Sequence, residues 1–187
     1  MNDYPKIAKT RNNKYRINTN FRVALKCNEV AESDVSDEER TLAIIYLLFG
    51  KEGLNCPDDW EELIQIALKY LKCGKEKQSE DEEVDMDFKQ DFEYIKASFF
   101  YDYKKELGSK TYMHWYEFYN LLCGLSEKCV LSRVRFIRNF DVSEIKDINE
   151  REKWLKQKEQ VALKINNKKT SEERRLDELF EKQLRKE

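Results

Sequence analysis

Acid–base chemistry in this chain would start from His114, its one histidine, because the imidazole pKa lies nearest neutrality. His114 opens the stretch HWYEFYNLL, residues 114–122. Cys123 follows nine residues later, which puts it on the opposite side of a helix, so a Cys–His pair is excluded. Glu117 could hold the ring, but two side chains on one helix form no pocket. We interpret His114 as a hydrogen-bonded helix residue at the core edge and expect no enzymatic activity.

The cysteines and the densest carboxylates follow no metal-binding pattern. The five cysteines contain no C-x-x-C pair, and a zinc site from His114, Cys123, Cys129 and one further cysteine would not have the spacing of a zinc finger. Residues 75–87, KEKQSEDEEVDMD, lack the order and the turn glycine of a calcium loop, which favours a solvated loop. No phosphate-binding or dinucleotide motif occurs either. We expect reduced thiols and no cofactor.

The composition favours a mainly α protein. Of 187 residues, 39% are charged and 40% hydrophobic, with 5 glycines and 2 prolines, so helix formers dominate and helix breakers are scarce. The formal net charge of −2 gives no reason to expect nucleic acid or a membrane surface as partner. No apolar run approaches the roughly 20 residues of a membrane span, and the polar N-terminus lacks a signal-peptide pattern. We therefore expect a cytoplasmic protein.

The chain divides into three parts by pattern. Residues 1–18 form an N-terminal arm or a short β-hairpin, since Asn12-Asn13 splits two short runs in which Ile7, Tyr15 and Ile17 could pack. Residues 19–140 form a helical core domain that includes the acidic loop 75–87. Residues 141–187 form a charged helical extension. The fold class is thus a multi-helix globular bundle with a short N-terminal β-hairpin and charged C-terminal helices.

Capping residues mark the helices of the core domain. Asn20 can cap a first helix, and Ser36 with Glu39 forms a capping box for the second. Further helices are expected to start at Asp58 or Asp59, near Phe88, at Thr111 and at Ser126. The glycines expected to end the second to fifth helices are Gly50, Gly74, Gly108 and Gly124.

The C-terminal extension has too few apolar residues to bury itself. Residues 141–187 contain 13 basic and 12 acidic side chains, and the helices expected at 144–165 and 171–187 carry a sparse apolar stripe. Such a stripe docks on another helix or another subunit, or orders only with a partner. The positions that we expect to contact a partner or a second copy of the chain are Trp154, Leu155, Val161, Ile165, Leu176, Leu179 and Phe180.

Four phrases in order carry a family resemblance: YRINTNFRVALK (15–26), DFKQDFEYIKASFFYDY (87–103), HWYEFYNLLCGL (114–125) and RFIRNFDVSEI (135–145). Together they resemble the bacteriophage gene-product-fifteen family of tailed phages and prophages, from about Tyr4 to Lys158. The structural signature residues within these phrases are Phe21, Arg22, Phe92, His114, Trp115 and Phe118.

The resemblance implies a tail-assembly chaperone that binds tape-measure protein, tail tube protein or both. Such a protein would act in the cytoplasm of the bacterial host and be absent from the mature virion. The family brings no catalytic residues. Deleting residues 144–187 is expected to abolish capture of the tape-measure protein, or self-assembly, while residues 1–140 stay folded. The alternative is a nucleic-acid-binding or regulatory phage protein, whose basic face would contain Lys128, Arg133, Arg135, Arg138 and Lys146.

Overall fold

A computed structural model describes residues 4–74 and 85–164. Within these ranges the chain forms one β-hairpin, seven α-helices and a 3₁₀ turn, Pro57–Asp59. The mainly α fold with an N-terminal hairpin is therefore confirmed. The strands are β1 (Ile7–Lys9) and β2 (Lys14–Arg16), and the helices are α1 (Phe21–Ala31), α2 (Asp37–Leu54), α3 (Trp60–Leu71), α4 (Phe92–Tyr103), α5 (Trp115–Cys123), α6 (Val130–Asn139) and α7 (Ile148–Val161).

The hairpin buries one face against the helices. β1 and β2 pair antiparallel with Ala8 opposite Tyr15, and both side chains are buried. Side chains alternate between the two faces of a strand, so Ile7 points outward and is 57% exposed. The sequence-based expectation that Ile7 packs inward was wrong, and Ala8 takes that place.

Four helices begin later than expected: α4 starts at Phe92 and not near Phe88, α7 starts at Ile148 and not at residue 144, and α5 and α6 start after Thr111 and Ser126. Asn20 and the Ser36–Glu39 box do cap α1 and α2. Ser126 does not cap α6, since its amide and hydroxyl bind the Asp102 carboxylate at 2.7 and 2.8 Å. Thr111 donates its hydroxyl to the Glu106 carbonyl and does not begin α5.

Three helix ends also differ from expectation, and one of them is that of α7, which ends at Val161 and not at residue 165. Gly50 does not end α2: it bends the helix at φ +70°, ψ −162°, and the chain returns to helix through Leu54. This backbone region is accessible essentially only to glycine. α4 ends at Tyr103 because Lys104 adopts a left-handed conformation, well before Gly108.

The core is aromatic and lies between the hairpin and α1–α6. Its largest fully buried side chains include Trp115, Phe21, Phe99 and Phe118. In the described residues every buried hydrophobic side chain lies between Ala8 and Val134, so α7 packs outside this core, on α6. None of the helices described is both long and apolar enough to cross a membrane.

Candidate functional site

His114 is the N-cap of α5. The sequence analysis placed it inside this helix, whereas the first helical residue is Trp115. Its Nδ1 accepts a hydrogen bond from the Tyr116 amide at 3.1 Å, and its Nε2 lies 3.1 Å from the Pro5 carbonyl oxygen. A carbonyl only accepts, so Nε2 carries the proton and the imidazole is neutral. The residue is 5% exposed, and this burial lowers the pKa of His114 below its ordinary value.

The surroundings of His114 suit packing better than catalysis. The Tyr4 ring stacks on the imidazole with a centroid distance of 4.9 Å. Glu117, proposed to hold the ring, instead accepts a hydrogen bond from the Lys105 ammonium at 2.6 Å. The described residues contain no group of three or more His, Cys, Asp or Glu side chains that could hold a metal ion. His114 thus fixes the N-terminal segment to the start of α5.

Five of the signature residues meet in the aromatic core or at its edge. The Phe118 ring stacks on Phe21 at 4.6 Å and on Trp115 at 5.7 Å, and Trp115 donates its indole N–H to the Leu71 carbonyl at 3.0 Å. The Arg22 guanidinium lies 4.8 Å from the Phe21 ring and 5.9 Å from the Phe92 ring. These contacts join α1, α3, α4 and α5, so the residues that carry the resemblance build the fold.

Arg22 also fixes the loop between α4 and α5. Its guanidinium donates to the carbonyl oxygens of Leu107 and Gly108 at 2.9 and 2.5 Å. The backbone amides of Phe21 and Trp115 bind the carbonyls of Met113 and Thr19, at 3.0 and 2.8 Å, which pairs the starts of α1 and α5.

A buried carboxylate, which sequence reasoning missed, ties the hairpin to the start of α3. Asp59 is 1% exposed and accepts hydrogen bonds from Tyr15, Asn13 and Thr10 at 2.5, 2.8 and 2.9 Å, with Asn12 at 3.3 Å. These bonds hold the pKa of Asp59 below its ordinary value, and the bonds from Tyr15 and Asn13 contribute most. Burial, helped by the bond to Asp59, raises the pKa of Tyr15. These hydrogen bonds hold the hairpin against the start of α3.

Two of the five basic residues proposed to bind nucleic acid form ion pairs within the protein. Arg138 forms a bidentate pair with Asp91, with two N–O distances of 2.7 Å, and the two side chains are 10% and 0% exposed. Arg135 pairs with Asp85 at 3.0 Å. These two guanidinium groups are already neutralised by carboxylates, which weakens the case for phosphate binding.

The C-terminal helix shows where the described partner-contact candidates lie. Trp154 stacks on Phe140 at 4.1 Å, and its ring lies 6.4 Å from Phe136. Leu155 is 48% exposed and Ile148 70%. Val161 is half-buried. The remaining candidates lie outside the described residues: Ile165, Leu176, Leu179 and Phe180.

Exposed apolar side chains lie on both α6 and α7, two helices that pack against each other. Phe136 is 58% exposed and lies beside Trp154. Ile148 and Leu155 are two helical turns apart, on one face of α7. We call Phe136, Ile148 and Leu155 the α6–α7 surface.

Comparison with known proteins decides the family. The family model of the bacteriophage Gp15 protein matches residues 1–163. The chain belongs to this bacteriophage family. The match includes all four phrases that carried the resemblance and continues through α7. No curated protein and no solved structure matches the chain significantly. The Gp15 assignment makes this a phage protein.

Proposed function

We propose that this Gp15 protein assists assembly of the phage tail by binding apolar helical segments of the tape-measure protein, the tail tube protein or both. The observation that carries the proposal is the α6–α7 surface, on which Phe136, Ile148 and Leu155 are 58%, 70% and 48% exposed. A helical client could lay its apolar face against these side chains, which would keep it from aggregating before assembly.

The size of this surface fits temporary binding. Fully burying a large apolar side chain contributes roughly 1.5–3 kcal/mol, and each of the three is already partly covered. We therefore expect about 1–2 kcal/mol from each, or about 3–6 kcal/mol together before ordering costs. A dissociation constant of 1 mM corresponds to about 4 kcal/mol, so after ordering costs these three side chains alone give binding no tighter than about millimolar. A client held this weakly can leave when the tail subunits polymerise.

Contacts between α6 and α7 support the proposal because they hold the described part of the extension in place. Trp154 stacks on Phe140, and the Lys158 ammonium donates to the Phe140 carbonyl at 2.7 Å. Arg138 donates to the Val161 carbonyl at 2.6 Å. A docked helix loses less conformational freedom on binding than a free one. The proposal places the protein in the host cytoplasm during assembly and outside the finished virion.

Co-expression with the tape-measure protein of the same phage tests the proposal. The amount of tape-measure protein that stays in the supernatant after centrifugation is measured for the wild type and for the double variant Ile148→Glu, Leu155→Glu. We expect the wild type to keep its client soluble and the double variant to lose most of the complex without a change in melting temperature, because both side chains are exposed. Gln157→Glu, on an exposed position of the same helix, is the control.

The outcomes separate the partners. No complex with either the tape-measure protein or the tail tube protein would overturn the proposal. Equal capture by the wild type and the double variant would show that the client binds elsewhere. A wild-type dimer that the double variant converts to monomer would show that a second copy covers the α6–α7 surface.

A further inference from the structure

A second surface lies on different elements of the fold. A groove of about 1060 Å³ opens between the end of β2, α1 and the last part of α2. Val23 and Leu47, both half-buried, contribute apolar lining. Tyr46 and Tyr112 also line it and are 48% and 63% exposed. Apolar lining with aromatic side chains is typical of surfaces that bind protein segments.

The charge of the groove is opposite to that of the whole chain. Lys6, Arg16, Lys26 and Lys51 line it, against a single acidic residue, Glu52. All four basic side chains are exposed, and none of them forms a salt bridge within the described part of the chain. The whole chain has a formal net charge of −2. The excess of positive charge in the groove is therefore local and is left unneutralised by its neighbours.

The backbone gives the groove a defined shape. The bend at Gly50 redirects the last turn of α2, which carries Lys51. The Asn18 amide donates to the Leu48 carbonyl at 2.7 Å, which fixes the hairpin to α2. Tyr112 shares a 2.7 Å hydrogen bond with the Thr19 hydroxyl, so its ring is held at the rim.

We propose that this basic groove binds an acidic segment of a partner protein, one in which apolar side chains alternate with carboxylates. Carboxylates would pair with Lys6, Arg16, Lys26 and Lys51, while the apolar side chains contact the tyrosines and the lining between them. A peptide fits better than nucleic acid because the lining between the charges is apolar and would contact apolar side chains that alternate with the carboxylates. The inference goes beyond the tail-assembly role and does not depend on the α6–α7 surface.

Fluorescence anisotropy with the full chain tests the groove. The probe is a fluorescein-labelled synthetic peptide in which glutamates flank leucines, and its companions replace leucine by serine or glutamate by lysine. The groove variant is Arg16→Glu with Lys26→Glu. The control is Lys9→Glu with Lys14→Glu, which makes the same charge change on exposed hairpin positions outside the groove.

We expect the wild type and the control to bind the glutamate–leucine peptide alike, and the groove variant about tenfold more weakly or worse. Tyr112→Ala should weaken binding several-fold, the serine peptide should bind less tightly, and the lysine peptide should not bind. Raising the salt concentration should weaken wild-type binding, since the pairs are exposed.

Four results would overturn the proposal. They are the absence of saturable binding, equal weakening in the control and the groove variant, tighter groove-dependent binding of an oligothymidylate than of the peptide, and a wild-type oligomer that the groove variant alone dissociates. The third result would assign the groove to nucleic acid and the fourth to a second copy of this chain. Unchanged melting temperatures of both charge variants establish that the comparison is made on folded protein.

Discussion

Replacing Arg138 by methionine should destabilise the protein strongly, since Arg138 is the partner of a buried charge. The Asp91 side chain is 0% exposed and that of Arg138 10%, and two N–O distances of 2.7 Å join them. Arg138 also donates to the carbonyls of Val161 and Asp85 at 2.6 and 2.8 Å. It therefore connects α6 with the start of α4, the end of α7 and the segment at Asp85.

The expected loss follows from the unpaired carboxylate. Removing one partner of a buried ion pair costs about 3–5 kcal/mol. In a chain of this length, each kcal/mol lowers the melting temperature by ~2–4 °C, so Arg138→Met should lower it by about 6–20 °C. Because this is a large share of the ~5–15 kcal/mol that stabilises a typical domain, Arg138→Lys is a second, milder variant. Lysine keeps the charge without the bidentate geometry and should cost less.

Urea unfolding followed by circular dichroism measures these losses. Arg133→Met, at an exposed position of the same helix, should stay within about 0.5 kcal/mol of the wild type. Adding Asp91→Asn to Arg138→Met should recover part of the loss, since the buried charge is then gone. An Arg138→Met protein of unchanged stability but weakened nucleic-acid binding would refute this reasoning and favour the alternative function.

Three further predictions concern the core, the N-cap and the hairpin. Trp115→Ala should lower the free energy of unfolding by about 3–5 kcal/mol, far more than His114→Ala, in urea titrations. The folded pKa of His114 is depressed, so its stabilisation is present above its unfolded pKa near 6.5 and is lost as the pH falls through the folded pKa. The urea midpoint of the wild type should therefore fall as the pH is lowered through this range, and that of His114→Asn should fall less. The pKa of Asp59 is depressed in the folded protein, so the ionised carboxylate stabilises the hairpin until the pH falls below about 4. Asp59→Asn should remove this stabilisation, and the hairpin amides should then exchange hydrogen faster at neutral pH.

Each of these three has a result that would contradict it. A Trp115→Ala protein that melts cooperatively at near-normal stability would show that the aromatic core does not depend on the indole. Identical pH profiles for the wild type and His114→Asn would exclude the imidazole as the titrating cap. Unchanged hydrogen exchange in Asp59→Asn would mean that strand packing alone holds the hairpin.

Local patterns in the sequence predicted the local structure well. The capping residues Asn20, Ser36 and Glu39 act on neighbouring amides, so their roles could be recognised from spacing alone. The face of α5 formed by Trp115, Phe118 and Leu122 is buried as its spacing indicates. These features depend on residues within a turn or two of each other.

Features that depend on distant residues could not be predicted. Asp59 directly precedes α3, as expected, but its carboxylate makes no cap bond and instead binds hairpin side chains 44–49 residues earlier in the chain. Ser126 was expected to cap α6 and is bound by Asp102, 24 residues away. Arg138 was counted toward a basic face because its partner Asp91 lies 47 residues before it. In each case the polar side chain binds a residue that is distant in the sequence, and the role suggested by its neighbours in the sequence was therefore wrong or incomplete.

The α6–α7 surface and the basic groove show the same limit. The sequence indicated that Trp154 and Leu155 would contact a partner or a second copy, but the stacking of Trp154 on Phe140 separates their roles. Trp154 fixes α7 to α6, and Leu155 is left 48% exposed. The groove joins residues of the hairpin, α1, α2 and the loop before α5, which no single stretch of sequence brings together.

Capture of the tape-measure protein by purified wild type and by the Ile148→Glu, Leu155→Glu variant tests the central claim most directly. If the α6–α7 surface covers a client, the wild type keeps the tape-measure protein in the supernatant after centrifugation, and the variant, equally stable, leaves it aggregated. Equal amounts of soluble client for both proteins would contradict the account, as would a wild type that leaves its client insoluble.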